Sequence, residues 1–192
     1  QGLSARTPMR VITVRFGNVL DSAGSVVPLF REQIARGGPV TVTHPEMERY
    51  FMTIPEACQL ILQASVLGQG GEIFALDMGE PIRIGFLAEQ MIKLAGKQPG
   101  DDITSVYTGL RPGEKLREEL FHPHERYVDT AHRKIFLAQS RGADWDWLVG
   151  LLDEAAQAVA EFDEFTLASQ LHALVPEFTR ESLSLEPQQK TA

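Results

Sequence analysis

The sequence predicts an α/β fold. Three observations carry that expectation. Short runs rich in β-branched residues, VITVR at 11–15 and VTVT at 40–43, alternate with longer stretches whose apolar residues recur at helical spacing. Capping residues and glycines separate the two kinds of run. The strands are also too few for a complete doubly wound sheet.

The elements follow in order. The strand at 11–15 runs into the turn-prone FGN. Ser25 is placed to cap a helix over 26–36, with Pro28 tolerated in its first turn and Gly37-Gly38 as its stop. A strand at 40–43 comes next. Thr53 and Glu56 then form a T-x-x-E capping box around Pro55, and Ala57, Leu60, Ile61, Ala64 and Leu67 give the following helix one buried face up to Gly68. Cys58, in the same stretch, reads as a small core residue. A strand at 72–76, a helix at 85–95, a strand at 103–108 and a short helix at 114–121 complete the main body. One or two helices are expected over 144–174, where the stripe Trp147, Leu148, Leu151, Leu152 reads as core or interface. The chain thus divides into a body over 1–140, a helical appendage over 141–180 and a polar tail over 181–192.

Composition narrows the function. The 26 acidic against 18 basic side chains give a net charge of -8, which repels a polyphosphate backbone and argues against nucleic acid as partner. A bound anion therefore needs a locally basic pocket. The single cysteine leaves no internal disulfide, which fits a reducing, cytoplasmic setting. No apolar run approaches the roughly 20 residues that cross a bilayer, so no membrane contact is expected of this segment. The start QGLSARTPMR reads as the middle of a longer protein.

A catalytic centre is not found. GQGGEI at 68–73 has isoleucine where a G-x-G-x-x-G fingerprint needs its last glycine, and these glycines precede a strand instead of following one. Tyr50, Tyr107 and Tyr127 are followed four positions later by Ile54, Arg111 and Ala131, so none heads a Y-x-x-x-K proton-transfer pair. His122 and His124 flank Pro123 in a loop and read as solvated histidines rather than metal ligands. No cofactor and no metal is expected on this segment.

Four short motifs remain: RFGNVL at 15–20, GSVVPLF at 24–30, HPEMERYFMTIPEA at 44–57 and TGLRPGEKLREEL at 108–120. Asn18 follows a strand, where open α/β sheets place ligands, and its amide can donate to a phosphate oxygen; it can equally serve its own turn. Val26 and Val27 present free N–H groups at a helix N-terminus, which favour a diphosphate if one is bound. Arg111 precedes Pro112-Gly113, a rigid turn suited to fixing a guanidinium for bidentate phosphate recognition. Arg49 leads into an apolar helix and is otherwise an ordinary surface arginine. Glu114 can accept from two vicinal hydroxyls, or act as an acid in a helix's first turn.

Together these motifs resemble the UDP-N-acetylglucosamine 4,6-dehydratases of bacterial polysaccharide biosynthesis, over about 9–121. The resemblance implies the C-terminal, substrate-binding part of an extended short-chain dehydrogenase/reductase, lacking most of the Rossmann sheet. Residues 11–15 would be a late strand of that sheet. It further implies that Arg49 contacts the UDP diphosphate, that Glu114 holds the ribose hydroxyls, and that Thr41 and Thr43 lie along the uracil, whose edge is read by their backbone. NAD or NADP would belong to the parent protein, as would its Rossmann half and, in many members, helices anchoring it in the inner membrane. The parent would oxidise C4 of a UDP-amino sugar, eliminate water across C5–C6 and return the hydride to C6. This segment would supply grip without chemistry, with a homo-oligomer open to it. A 4-epimerase or reductase parent, or a non-catalytic nucleotide-binding or oligomerisation module, are the alternative readings. Two acids depart from the family pattern: Asp21 stands where glycine is usual and Glu48 where threonine is usual. Both are expected to point outward.

Overall fold

The computed structural model describes residues 2, 6–119, 125–139 and 144–176, and its chain alternates strand and helix as the α/β expectation requires. The elements are β1 (Thr13–Arg15), β2 (Asn18–Val19), α1 (Val26–Ala35), β3 (Val40–Val42), β4 (Glu48–Arg49), β5 (Phe51–Met52), α2 (Ile54–Leu67) and β6 (Ile73–Leu76). They continue as β7 (Ile82–Arg83), α3 (Ile84–Leu94), β8 (Ser105–Tyr107), β9 (Arg126–Asp129), β10 (Ile135–Gln139), α4 (Trp145–Glu161) and α5 (Glu164–Leu174). No described helix is long and apolar enough to cross a membrane.

The main sheet has the order β1-β6-β10-β9. β6 is central, parallel to β1 and antiparallel to β10, and three of its four residues are buried, as befits a strand covered on both faces. β9 and β10 were not expected from the sequence. They fold back on β6 from the stretch after the last motif, so the sheet is mixed rather than doubly wound.

Two apolar clusters hold the body together. One packs α2 onto the sheet through Ala57, Leu60 and Ala64 against Phe74, Leu76 and Ile135. The other joins α1, β3 and α3 through Phe30, Val40, Val42, Ala88 and Ile92. One half of the capping box of α2 is seen: Thr53 Oγ1 accepts from the Glu56 N–H at 3.3 Å, while the Glu56 carboxylate takes Lys134. Ile61 lies outside the buried face, however, and Cys58 is exposed, not a core residue. The small side chains of Ala57 and Ala64 let the helix approach the sheet, and Cys58 falls on the opposite side of the turn.

Two further expectations are corrected. Ser25 precedes α1, yet its hydroxyl makes no cap bond. The helix expected over 114–121 is absent from 114–119, while 120 and 121 lie outside the described residues. The segment makes tertiary bonds instead: the Leu116 carbonyl accepts from the Glu48 N–H at 3.2 Å and from Arg49 Nη1 at 3.2 Å, both from across the chain.

The appendage divides into α4 and α5, each capped by an aspartate: Asp144 Oδ1 accepts from the Trp147 N–H at 2.8 Å, and Asp163 Oδ1 from Phe165 and Thr166. Phe162, at φ 56°, makes the break between them. Of the expected stripe, Leu151 is buried, Leu148 half-buried, and Trp147 and Leu152 exposed. The tail expected from 181 lies outside the described residues.

Packing at two glycines gives opposite expectations. A Cβ at Gly68 would lie 2.5 Å from Ile12 Cγ2, so Gly68→Ala should destabilise the fold by about 1–3 kcal/mol. Gly150 sits inside α4 with nothing within 4 Å of a Cβ, and Gly150→Ala should stabilise by about 0.5–1 kcal/mol. Denaturant unfolding of both variants measures the contrast, and equal effects would contradict the packing described.

The turn before β6 adds a pH dependence. Burial pushes the Glu72 carboxyl up, but N–H donors from Gln69 and Gly70, both at 2.7 Å, and nearby Arg10 outweigh it and hold the group below its ordinary value. A lowered folded-state pKa contributes stability above the unfolded value that is lost as pH falls through the folded one. Glu72→Gln should therefore lower the melting temperature at neutral pH. The gap to wild type should close below the ordinary glutamate pKa of about 4.3, as thermal melts over an acid series would record.

Candidate functional site

A cleft of about 470 Å³ opens where the polar ends of several short ladders meet, over the cluster of α1, β3 and α3. Its lining draws on all four motifs: Asn18; Ser25 and Val26; Arg49; Arg111 and Glu114, with Thr41 from β3 and Thr43 just past its end. Seven of the eight residues selected from sequence therefore come together. Val27, selected for its backbone N–H at the start of α1, does not line the cleft: its side chain is buried and faces a separate apolar groove with Leu87, Met91 and Leu94.

Each wall has a local cause. Asn18 begins β2, whose parallel partner is β5, and its N–H donates to the Tyr50 carbonyl at 3.0 Å. Because that backbone group is taken, the side-chain amide is the part left to face the cleft. β3 runs parallel to β8 with Thr41 opposite Val106. Gln33 pins Thr41 through both its N–H (3.0 Å) and its hydroxyl (2.7 Å), so α1 and β3 meet in one fixed arrangement. The first turn of α1 carries no acidic side chain, and Gly24 just before it takes φ 74°. Ser25 Oγ there is buried with no hydrogen-bond partner among the described residues. A buried hydroxyl left in that state at a helix N-terminus fits a site for an acceptor-rich ligand.

Arg49 occupies the floor. β4 pairs with β7, Arg49 opposite Ile82, and Nη1 donates to the Glu48 carbonyl at 2.7 Å as well as to Leu116. Nε lies 3.4 Å from Glu118 Oε1, and Nη2 3.8 Å from Glu114 Oε1. Glu114 ties the opposite wall: Oε2 accepts from the Arg111 N–H at 3.0 Å and Oε1 from Thr43 Oγ1 at 3.3 Å. The Arg111 backbone is thus set by Glu114, while its guanidinium makes no ion pair among the described residues. Glu118, which sequence reasoning passed over, also accepts from Asn18 Nδ2 at 3.4 Å. Its only signal in the sequence was its place within the KLREEL run.

The two unusual acids keep out of the cleft in different ways. Asp21 is exposed and pairs with Arg31 at 3.0 Å. Its φ of 61° is a conformation that glycine adopts freely and aspartate tolerates, which accounts for glycine being the usual residue there. Glu48 is turned aside but not solvated. Its carboxylate is held by Arg83 at 3.5 Å and Arg117 at 3.3 Å, with 17% of the side chain exposed. His122 and His124 lie outside the described residues, and no group of three or more His, Cys, Asp or Glu among the described residues is arranged to hold a metal. The glycine turn at 68–71 does not fit a dinucleotide either: Gly70 and Gly71 donate to Glu72 and to the Val11 carbonyl, so those N–H groups are spent within the fold.

Comparison with known proteins supports a common origin for this arrangement. The capsular polysaccharide biosynthesis protein CapD of Staphylococcus aureus is 58% identical over 125 residues, covering 65% of this chain and 21% of that protein. The probable polysaccharide biosynthesis protein EpsC of Bacillus subtilis is 45% identical over 166 residues, 86% of this chain and 27% of its own length. The chain therefore spans about a fifth to just over a quarter of these relatives. The X-ray structure of Pen from Bacillus thuringiensis superposes with a TM-score of 0.60 at 32% identity, over 74% of this chain and 48% of that one. A family model described as polysaccharide biosynthesis protein matches residues 2–140, which contain every residue of the cleft. The chain belongs to the polysaccharide biosynthesis protein family.

Proposed function

We propose that the cleft binds a UDP-N-acetylhexosamine and that this segment is the sugar-nucleotide grip of an NAD(P)-dependent 4,6-dehydratase of the extended short-chain dehydrogenase/reductase type. The observation that carries the reading is the meeting, in one cleft, of two arginines and a helix N-terminus whose first turn lacks acids. That combination suits a diphosphate: fork-like guanidinium donors on one side, backbone N–H groups on the other. Thr41, in β3, and Thr43, just past its end, would offer backbone groups to the uracil edge, Thr41 through its carbonyl because its N–H is held by Gln33. Glu114 would take the ribose hydroxyls while keeping Arg111 and Arg49 in place.

The residues of the cleft bind and orient. Its polar lining is Asn, Thr, Ser, Arg and Glu, and the one hydroxyl–carboxylate contact described there, Thr43 to Glu114, belongs to the set of bonds that fixes the Arg111 loop. NAD(P), bound by another part of the parent, would supply hydride transfer, and no step of that transfer is assigned to this chain. What the segment contributes to rate is the fixed position of the sugar relative to that chemistry.

Calorimetric titration with UDP and uridine tests the reading. Charge-assisted hydrogen bonds contribute about 1.5–3 kcal/mol, so Arg111→Ala should weaken UDP roughly 10- to 100-fold and leave uridine nearly unchanged. Raised salt should weaken UDP binding to the wild type. Glu114→Ala should weaken both ligands, UDP more than uridine, because the loop of Arg111 and the floor arginine lose a common anchor. An Arg111→Ala variant that folds and binds UDP as the wild type does would refute the assignment.

A further inference from the structure

We infer that Glu118 is an internal counter-anion of the cleft, a carboxylate that holds Asn18 and Arg49 until a ligand phosphate takes its place. The inference rests on the nucleotide reading above and deepens it by naming what the ligand must displace. A single oxygen, Glu118 Oε1, accepts from Asn18 Nδ2 at 3.4 Å and lies 3.4 Å from Arg49 Nε. An amide and a guanidinium converging on one anionic oxygen is the arrangement a phosphate oxygen would meet.

The seat is a poor one for a carboxylate. Both contacts are at the long end of hydrogen-bond distances. The other oxygen, Oε2, is shielded from solvent and has no partner among the described residues. An acceptor desolvated without a donor is held less well than in water. Glu114 differs: each of its oxygens accepts a hydrogen bond, from Thr43 and from the Arg111 backbone. Displacement therefore falls to Glu118.

Room to withdraw exists behind the cleft. Glu118 lies outside the cleft's own lining, in a neighbouring recess with Phe16, Gly17, Lys115 and Glu119, and Asn18 borders both. Lys115 offers a cation there, although Glu119 already lies 3.3 Å from it. A diphosphate, with a negative charge on each phosphate, entering beside a carboxylate that stayed would meet like charge at close range. Glu118 thus acts on phosphate-bearing ligands and is indifferent to an uncharged nucleoside.

The test uses Glu118→Gln, which retains the shape and removes the charge, with Glu118→Ala as a second variant should the first unfold. Wild type and variant are titrated with UDP, uridine and inorganic pyrophosphate. Both anions should bind about 5- to 30-fold more tightly to the variant, with uridine within about twofold. Unchanged or weaker anion binding by a folded variant overturns the inference, since a merely structural clamp would lose affinity when cut. If UDP binds neither protein while pyrophosphate binds the variant more tightly, the nucleotide reading fails and the role of Glu118 stands. If neither anion binds either protein, both fail.

Discussion

The Leu116 carbonyl is the point on which the cleft depends. It accepts from the Glu48 N–H and from Arg49 Nη1, and so ties the segment after the RPGE turn to the strand that carries the floor arginine. These two bonds join 114–119, which forms no helix, to the strand β4. An irregular path there lets Glu114 reach back to Thr43 and to the Arg111 backbone while Glu118 reaches Asn18 and Arg49. The two carboxylates thus converge on Arg49 while each also holds a second group of its own, Thr43 for Glu114 and Asn18 for Glu118.

How much of this was legible in the sequence follows from how local each cause is. The Thr53 cap involves a hydroxyl and an N–H three residues apart, and it was read correctly from those residues, whereas the distant Lys134 that takes the Glu56 carboxylate was not. The strand at β3 and the helices α1 to α3 were likewise found within a residue or two at their ends, because capping and periodicity are near-neighbour effects. The cleft residues were selected because the motifs resemble a family, and spacing alone would not have joined Asn18 to Glu114.

The misses share a long-range cause. Nothing near Leu116 announces that Glu48 and Arg49 will claim its carbonyl, so helix propensity was followed where tertiary bonds prevail. β9 and β10 take their place from β6, which lies far back in the chain. Cys58 sits among apolar residues on every side of α2: Ile54, Ile61, Leu62 and Val66 are exposed as well. Periodicity cannot select the buried face of a helix that is apolar nearly all round. Ser25 was read as a cap from its position, yet its hydroxyl is turned inward and left without a partner. This last departure from local expectation falls at the cleft itself, where a ligand rather than the fold would complete the bonding.

Charge completes the picture. A chain of net charge -8 is an unpromising host for a diphosphate, but the excess is unevenly spread. Residues 144–176 hold seven acids, Asp144, Asp146, Asp153, Glu154, Glu161, Asp163 and Glu164, with no lysine or arginine, and none of them lines the cleft. Near the cleft the acids are instead committed in pairs: Asp21 to Arg31, and Glu48 to Arg83 and Arg117. Arg49 is divided between Glu114 and Glu118, whereas the Arg111 guanidinium has no ion pair among the described residues. An arriving anion would meet Arg111 first, at the exposed edge, and would reach Arg49 only by exchanging with a carboxylate already there. Such a site holds its own charges balanced when empty, so it keeps the cleft shaped without a ligand and spends little reorganisation on the side of Arg111 when one binds.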